Sequence, residues 1–253
     1  MKNWYGGYNL FRREVFRFRK IIIDTVISPV ISNLLYILVF SLAISGKKVM
    51  GVDYIVFLAP GLIAMNLIMG SFSGASYSLV MSKVNGTVID LLIVPLTGTQ
   101  IVLAYLGASI VRALVTGTLT FFVIMIFAKI TIYSPLLAIL AAILTSSFFG
   151  SIGIIVGYFA KYFENINMLL TFIITPMSFL GGVFYSVENL PKHWGVITLF
   201  NPMFYFIDLF RFSIIGVSHV NPIISFSIAI LSNLIIIPFA ILLFTKGKKL
   251  SVL

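Results

Sequence analysis

The 253-residue chain has no cysteine. That excludes a disulfide framework, a thiolate metal site and a cysteine nucleophile. Charge is almost as scarce: Asp, Glu, Lys and Arg make up 9% of the residues, against roughly 25% in a soluble domain. Histidine occurs twice, as His193 and His219, without a His-Glu-x-x-His spacing, so no metal centre is expected. Serines are plentiful, but no base is evident beside any of them, and an activated nucleophile needs one. A Gly-x-x-x-x-Gly-Lys-[Ser/Thr] phosphate loop is absent; the chain is expected to bind neither ATP nor Mg, and to hold no catalytic residues.

What remains is apolar. Such residues make up 60% of the chain, and mean hydropathy is +1.13. Long runs place six membrane helices at roughly 25–45, 54–79, 101–128, 133–160, 165–186 and 222–245. These fill nearly the whole chain, which makes the expected fold all-α and polytopic, with the permeation domain at 25–253 and a separate segment at 1–24. The second to fourth spans carry no acid, unlike many coupled carriers, whose intramembrane carboxylates relay ions. With both termini cytoplasmic, most of the Lys and Arg residues lie inside, as the positive-inside rule requires. The net charge of +10 therefore reflects topology, because the cations flank spans and form no aromatic-interleaved patch for nucleic acid.

On a helical wheel of the N-terminal segment, Leu10, Phe11, Val15 and Phe18 share one arc, with Glu14 intruding, while Arg12, Arg13, Arg17, Arg19 and Lys20 occupy most of the other. This suits an amphipathic helix in the inner bilayer interface, or a charge cluster that orients the first span. Arg112 lies well inside the third span, where a charge costs about 2.5–3.5 kcal/mol. It faces a partner, with Glu164 or Asp90 the candidate counter-ions, or it sits at the inner headgroups.

Two stretches carry the chemistry. Between the second and third spans, Met81–Thr97 is apolar for a cytoplasmic loop, and an exposed apolar patch of that kind docks a partner or packs on its own subunit. At the end of the fifth span, Thr175–Ser186 continues into Asn189-Leu190-Pro191, Trp194, Asn201-Pro202 and Phe210-Arg211. Proline and glycine break helices, and broken backbone at membrane depth survives only inside protein or against a wet cavity.

These words resemble the transmembrane subunits of bacterial type-2 ABC exporters, the branch that includes drug, antibiotic, nodulation-factor and polysaccharide permeases. The resemblance covers essentially the whole chain. It implies an outer re-entrant helical hairpin between spans five and six, with Gly181, Gly182, Phe184 and Tyr185 at the outer end of span five and Leu190, Pro191, Trp194, Asn201, Pro202 and Arg211 in the hairpin. It also implies an ATPase-coupling element formed by Val84, Asn85, Ile89, Asp90, Leu91, Leu92, Val94 and Pro95, with Ile89 where the family usually has an acid. The expected partners are a separate ABC ATP-binding subunit, which binds ATP and Mg, a second copy of this chain, and the lipid bilayer. The function so implied is ATP-driven export of an amphipathic, lipid-like, drug-like or glycan substrate from the bacterial inner membrane. The alternative is an ATP-independent channel or secondary carrier.

Overall fold

A computed structural model describes residues 4–20, 22–44, 46–87, 96–128 and 130–246. Helix α1 spans Tyr5–Lys20, and a π turn at Ile23–Ile27 leads into α2, Ser28–Ala43. A two-stranded hairpin, β1 Lys48–Val49 and β2 Val52–Asp53, turns through Met50 and Gly51, both at positive φ, as the tightest hairpin turns require. The long helices follow: α3 Tyr54–Val84, α4 Gly98–Phe127, α5 Pro135–Phe159 and α6 Phe163–Leu180. Helix α6 contains a second π turn at Leu170–Ile174. After it come a short 3₁₀ turn at Val187–Asn189, α7 Lys192–Phe200, α8 Pro202–Ile215 and α9 Pro222–Lys246.

The architecture is that of an all-α polytopic membrane protein. Helices α3, α4, α5, α6 and α9 are each long and apolar enough to cross a bilayer, and the apolar stretch Thr25–Phe40 is shorter. That stretch lies in the first expected span. The largest shift from sequence expectation is at the fifth span, which ends as a helix at Leu180 instead of 186, because Gly182 takes a φ of 78° that an α-helix cannot accommodate.

Helix α3 forms the centre. Its residues from Phe57 to Ile68 are buried without interruption, the signature of a helix with protein on all sides. It packs against α4, α5 and α8. Contact with α5 is backbone to backbone: a Cβ on Gly153 would lie 2.4 Å from the Phe72 carbonyl oxygen, and one on Gly157 would lie 3.1 Å from Ser76 Cα. In an apolar solvent, small residues of this kind let van der Waals packing hold helices together.

Several hydroxyl groups within the helices bond their own helix backbone, while the buried Ser146 hydroxyl has no partner among the described residues. Ser76, Thr120, Thr145 and Ser151 donate to the carbonyl four residues earlier at 2.7–2.9 Å, so none of these hydroxyls faces hydrocarbon unpaired. The amides of Asn66 and Asn233 act between helices. Asn66 donates to Thr120 at 3.0 Å; Asn233 of α9 accepts from Ser147 at 2.6 Å and donates to the Leu144 carbonyl at 3.0 Å.

The Gly153 contact predicts an asymmetry between glycines. Gly153→Ala should push α3 and α5 apart and cost about 1–3 kcal/mol. Gly70→Ala, whose Cβ would meet Ala113 at an ordinary 3.8 Å, should be neutral or stabilising. Thermal denaturation of the detergent-purified variants checks both; equal midpoints would show that the close approach does not constrain the pair.

Candidate functional site

The break after α6 is closed by a hairpin that re-enters the helix bundle. Asn201 opens α8, its side-chain oxygen accepting from the Met203 N–H at 3.0 Å, while its amide donates to the Met177 carbonyl of α6 at 2.6 Å. Phe206 stacks on Phe148 with centroids 4.8 Å apart and meets Phe149 edge-on at 5.4 Å, near the middle of α5. At its far end α8 reaches the start of α5, where the Tyr133 and Ser134 N–H groups donate to the Ile214 and Ser213 carbonyls at 2.9 and 3.0 Å. Helix α8 therefore runs from mid-bundle back to the end of the bundle at which α5 begins.

Arg211 lies at the heart of this closure and is fully buried. Its Nη2 donates to the Gly182 carbonyl at 2.6 Å, and its guanidinium sits 4.0 Å from the centroid of the Phe57 ring. Nε and Nη1 have no hydrogen-bond partner, so the carbonyl, the ring face and the nearby Asp208 carboxylate stabilise the charge. Gly61 makes the arrangement possible, since a Cβ there would lie 2.8 Å from the Val183 carbonyl oxygen and 3.1 Å from Arg211 Nη2.

One turn earlier on the same helix, Asp208 is also fully buried. Its Oδ1 accepts from the His219 backbone N–H at 2.8 Å and lies 3.1 Å from His219 Nδ1, and its Oδ2 accepts from Ser225 at 3.2 Å. His219 Nε2 is 3.0 Å from Ser186 Oγ. Tyr54 donates to the Phe184 carbonyl at 2.9 Å, and Tyr185 to that of Leu180 at 3.0 Å. The Gly181–Ser186 turn is thus tied to α3, to α8 and to the α8–α9 connection.

Asp208, His219 and Ser186 stand in the order of a hydrolase triad. Ser186, however, is only 2% exposed, and the His219 ring is enclosed by Phe57 and Phe204 at 6.1 and 5.8 Å. A nucleophile must reach its substrate; these groups serve as a tether. The sequence reading found no partner for any serine and missed this cluster, because its members are far apart along the chain. The available signal was Asp208 three residues before Arg211, an acid and a cation one turn apart on an apolar helix, where neither stays unpaired cheaply.

Among the expected outer residues, the structure brings together Gly181, Gly182, Phe184, Tyr185, Asn201, Pro202 and Arg211. Leu190, Pro191 and Trp194 stand apart. Trp194 is half exposed, and α7 leaves Val196, Ile197 and Phe200 exposed as well.

On the opposite side, Ile89, Asp90, Leu91, Leu92, Val94 and Pro95 lie outside the described residues. Both roots of that segment are described. Helix α3 ends at an exposed Val84, with the Asn85 N–H donating to Met81 at 3.0 Å and Gly86 at a φ of 70°. At the other root, Thr97 and Gln100 cap α4 reciprocally, at 3.3 Å and 2.9 Å. Lys83, in the last turn of α3, donates to the Gly157, Tyr158 and Ala160 carbonyls at 2.9, 2.6 and 2.9 Å. One ammonium thereby satisfies two carbonyls of the last turn of α5 and that of the residue capping it. Nearby, the Tyr77 hydroxyl bonds Asn167 of α6.

Helix α1 runs alongside α4 in the same sense: Gly7 meets Gln100, Phe11 meets Gly107, and Phe18 lies 5.2 Å from the Arg112 guanidinium. Its buried face is Leu10, Glu14 and Phe18. Glu14, which looked like an intruder on the apolar arc, is fully buried because it pairs with Arg17 at 2.7 Å and accepts from Ser78 at 2.5 Å. Its charge also reaches Arg112. Of the two counter-ions expected for it, Asp90 lies outside the described residues; Arg112 is buried inside the bundle, its Nη1 donating to the Gly74 carbonyl at 3.4 Å.

A family model described as ABC-2 type transporter matches residues 8–215. The chain is 31% identical over 229 residues to the inner membrane transport permease YadH of Escherichia coli (strain K12), covering 90% of each protein. Nodulation protein J of Rhizobium leguminosarum bv. viciae is 28% identical over 247 residues, 93% of each. The protein of the same name from Rhizobium meliloti (strain 1021) is 27% identical over 217 residues, 85% of this chain and 82% of the relative.

The buried Arg211 makes a quantitative expectation. Arg211→Leu leaves Asp208 buried without its neighbouring cation and the Gly182 carbonyl without its donor, a loss of about 3–5 kcal/mol. Thermal unfolding in detergent should shift down accordingly, and Arg211→Lys should restore only part, since an ammonium lacks the planar face that lies on Phe57. An unchanged midpoint for Arg211→Leu would show that Arg211 does not hold this closure together.

Proposed function

The chain belongs to the ABC-2 type transporter family, and from that membership we propose that it is the membrane-spanning subunit of an ATP-driven exporter. The observation that carries this reading is the span of the family match, residues 8–215, which takes in α1, the inner segment after α3 and the outer hairpin together. In this reading two copies of the chain assemble with two separate ATP-binding subunits, and ATP and Mg are bound there. The substrate is amphipathic, lipid-like, drug-like or a glycan, taken from the cytoplasm or inner leaflet.

The relative named as an inner membrane permease and the five long apolar helices support a multi-pass protein of the bacterial inner membrane; the Lys and Arg distribution favours both termini in the cytoplasm, which makes α2 the sixth crossing. Helix α1 then lies against the bundle at the inner interface. Its outward side suits headgroups: Trp4, Tyr5, Tyr8 and Phe16 are exposed, and Arg12 and Arg19 lie 5.3 and 5.8 Å from the Phe16 ring. Exposed apolar side chains on α2 and α6, such as Leu35, Leu42 and Phe172, face lipid or the second copy.

Coupling works through Val84–Pro95 docking on the ATPase. Its movement reaches α3 directly and α5 through the Lys83 clamp, while α6 is joined to the pair at its base by Tyr77 and Asn167. Displacement of α6 relative to α8 acts on the Gly181–Ser186 turn, the outer gate of this scheme.

The purified chain alone should hydrolyse no ATP, and Leu91→Asp should weaken binding of the cognate ATPase by at least tenfold, because it puts a charge into an apolar contact. Pull-down and hydrolysis assays read both. Robust substrate flux in vesicles holding only this chain would favour the channel or carrier reading.

Topology is tested independently. In a chain with no native cysteine, Val84→Cys and His193→Cys, both at exposed positions, should react with an impermeant maleimide from opposite sides of the membrane. Reaction from the same side would overturn the arrangement.

A further inference from the structure

Where α5 hands over to α6, a groove of about 540 Å³ opens between the two helices, a volume in the range of small-molecule sites. Its lining is graded. Ile155, Val156 and Phe159 of α5 and Leu169 of α6 give an apolar wall; Lys161, Tyr162 and Asn165 are gathered at the turn. We propose that this groove binds an anionic amphipath of the inner leaflet, with its phosphate or carboxylate at Lys161 and its hydrocarbon along the apolar wall.

Charge argues for an anion. Lys161 is exposed and has no carboxylate within ion-pair distance among the described residues. A second cation, Lys83 of α3, reaches the same turn, where it meets the carbonyls of residues 157, 158 and 160 and the Tyr158 ring. Glu164 is the one acid in that connection. An anion at Lys161 therefore gains attraction without displacing an existing partner.

Shape and polarity argue for a hydrocarbon tail. Phe159 and Tyr162 are 60% and 58% exposed, at a level where aromatic rings sit among headgroups. A small soluble anion would leave the apolar wall uncovered. The floor is preset, because the Lys83 clamp holds the end of α5 and the Tyr162 N–H donates to Asn165 Oδ1 at 3.2 Å, so little ordering is needed on binding.

A membrane lipid and an exported cargo share this chemistry. The binding itself does not depend on the exporter reading, and the test keeps the two apart. The permease alone is placed in phosphatidylcholine nanodiscs doped with a photoactivatable phosphatidylglycerol, and adducts are mapped by peptide mass spectrometry. They should concentrate on residues 155–169, fall about fivefold in Lys161→Gln, persist in Lys161→Arg and vanish in Val156→Trp, which fills the groove. Variants are compared only at matching thermal midpoints. Equal labelling by a zwitterionic analogue, or unchanged labelling in both Lys161→Gln and Val156→Trp, would overturn the site, the first outcome marking ordinary boundary lipid. With the ATPase and ATP added, adducts that decline on turnover identify cargo and constant adducts identify a resident lipid; both uphold the site. Failure of the ATPase to assemble would count against the exporter reading alone.

Discussion

Backbone groups set free at membrane depth must find partners inside the protein, and the architecture around α6 follows from that constraint. The span stops at Leu180, and the turn after it presents carbonyls that no water shell solvates. Arg211, Tyr54 and Tyr185 take up the carbonyls of Gly182, Phe184 and Leu180. To deliver Arg211 there, α8 must run back into the bundle, and to admit the guanidinium, α3 must carry glycine at position 61. Asp208 then accompanies the cation, His219 and Ser225 fill the remaining valences of the acid, and Ser186 meets the far nitrogen of His219. The re-entrant hairpin is thus the scaffold that makes a broken span tolerable in lipid.

This chain of dependence explains what was legible beforehand. Spans show in composition, because hydrocarbon admits little else over about 20 residues. The break showed in Gly181-Gly182 and the hairpin in Asn201-Pro202, since those residue types have few backbone options. The tether did not show: Ser186, Asp208 and His219 are individually ordinary, and only the folded path of α8 brings His219 within 3.1 Å of Asp208 and 3.0 Å of Ser186. Helix α1 taught a similar lesson. A wheel sorts residues by polarity and so set Glu14 against its neighbours, whereas the fold sorts them by partner and buries Glu14 because Arg17 and Ser78 are there.

Lys83 occupies a position of leverage. It ends α3 next to the segment assigned to coupling, yet its ammonium is committed to another helix. Together with the backbone contacts at Gly153 and Gly157, it makes α3 and α5 one body along much of their length, with the more exposed α6 bound to them through Tyr77 and Asn167 as the looser neighbour. Packed interiors resist gradual deformation and shift between discrete arrangements, so a rigid pair bearing one looser helix is suited to a two-position device.

The π turn at Leu170–Ile174 bears on how that looser helix presents itself. Ile166 and Ile174 are both buried, yet eight residues of regular α-helix would leave them about 80° apart around the axis. A π turn absorbs one residue without advancing the rotation, which brings the two isoleucines back to within about 20°. The inward stripe thereby keeps its phase across the bilayer, and Ser178, four residues on, continues it to meet Met203. In angular terms the turn behaves as a phase corrector: the lower half of α6 can pack on α3 while the upper half still aims at the hairpin.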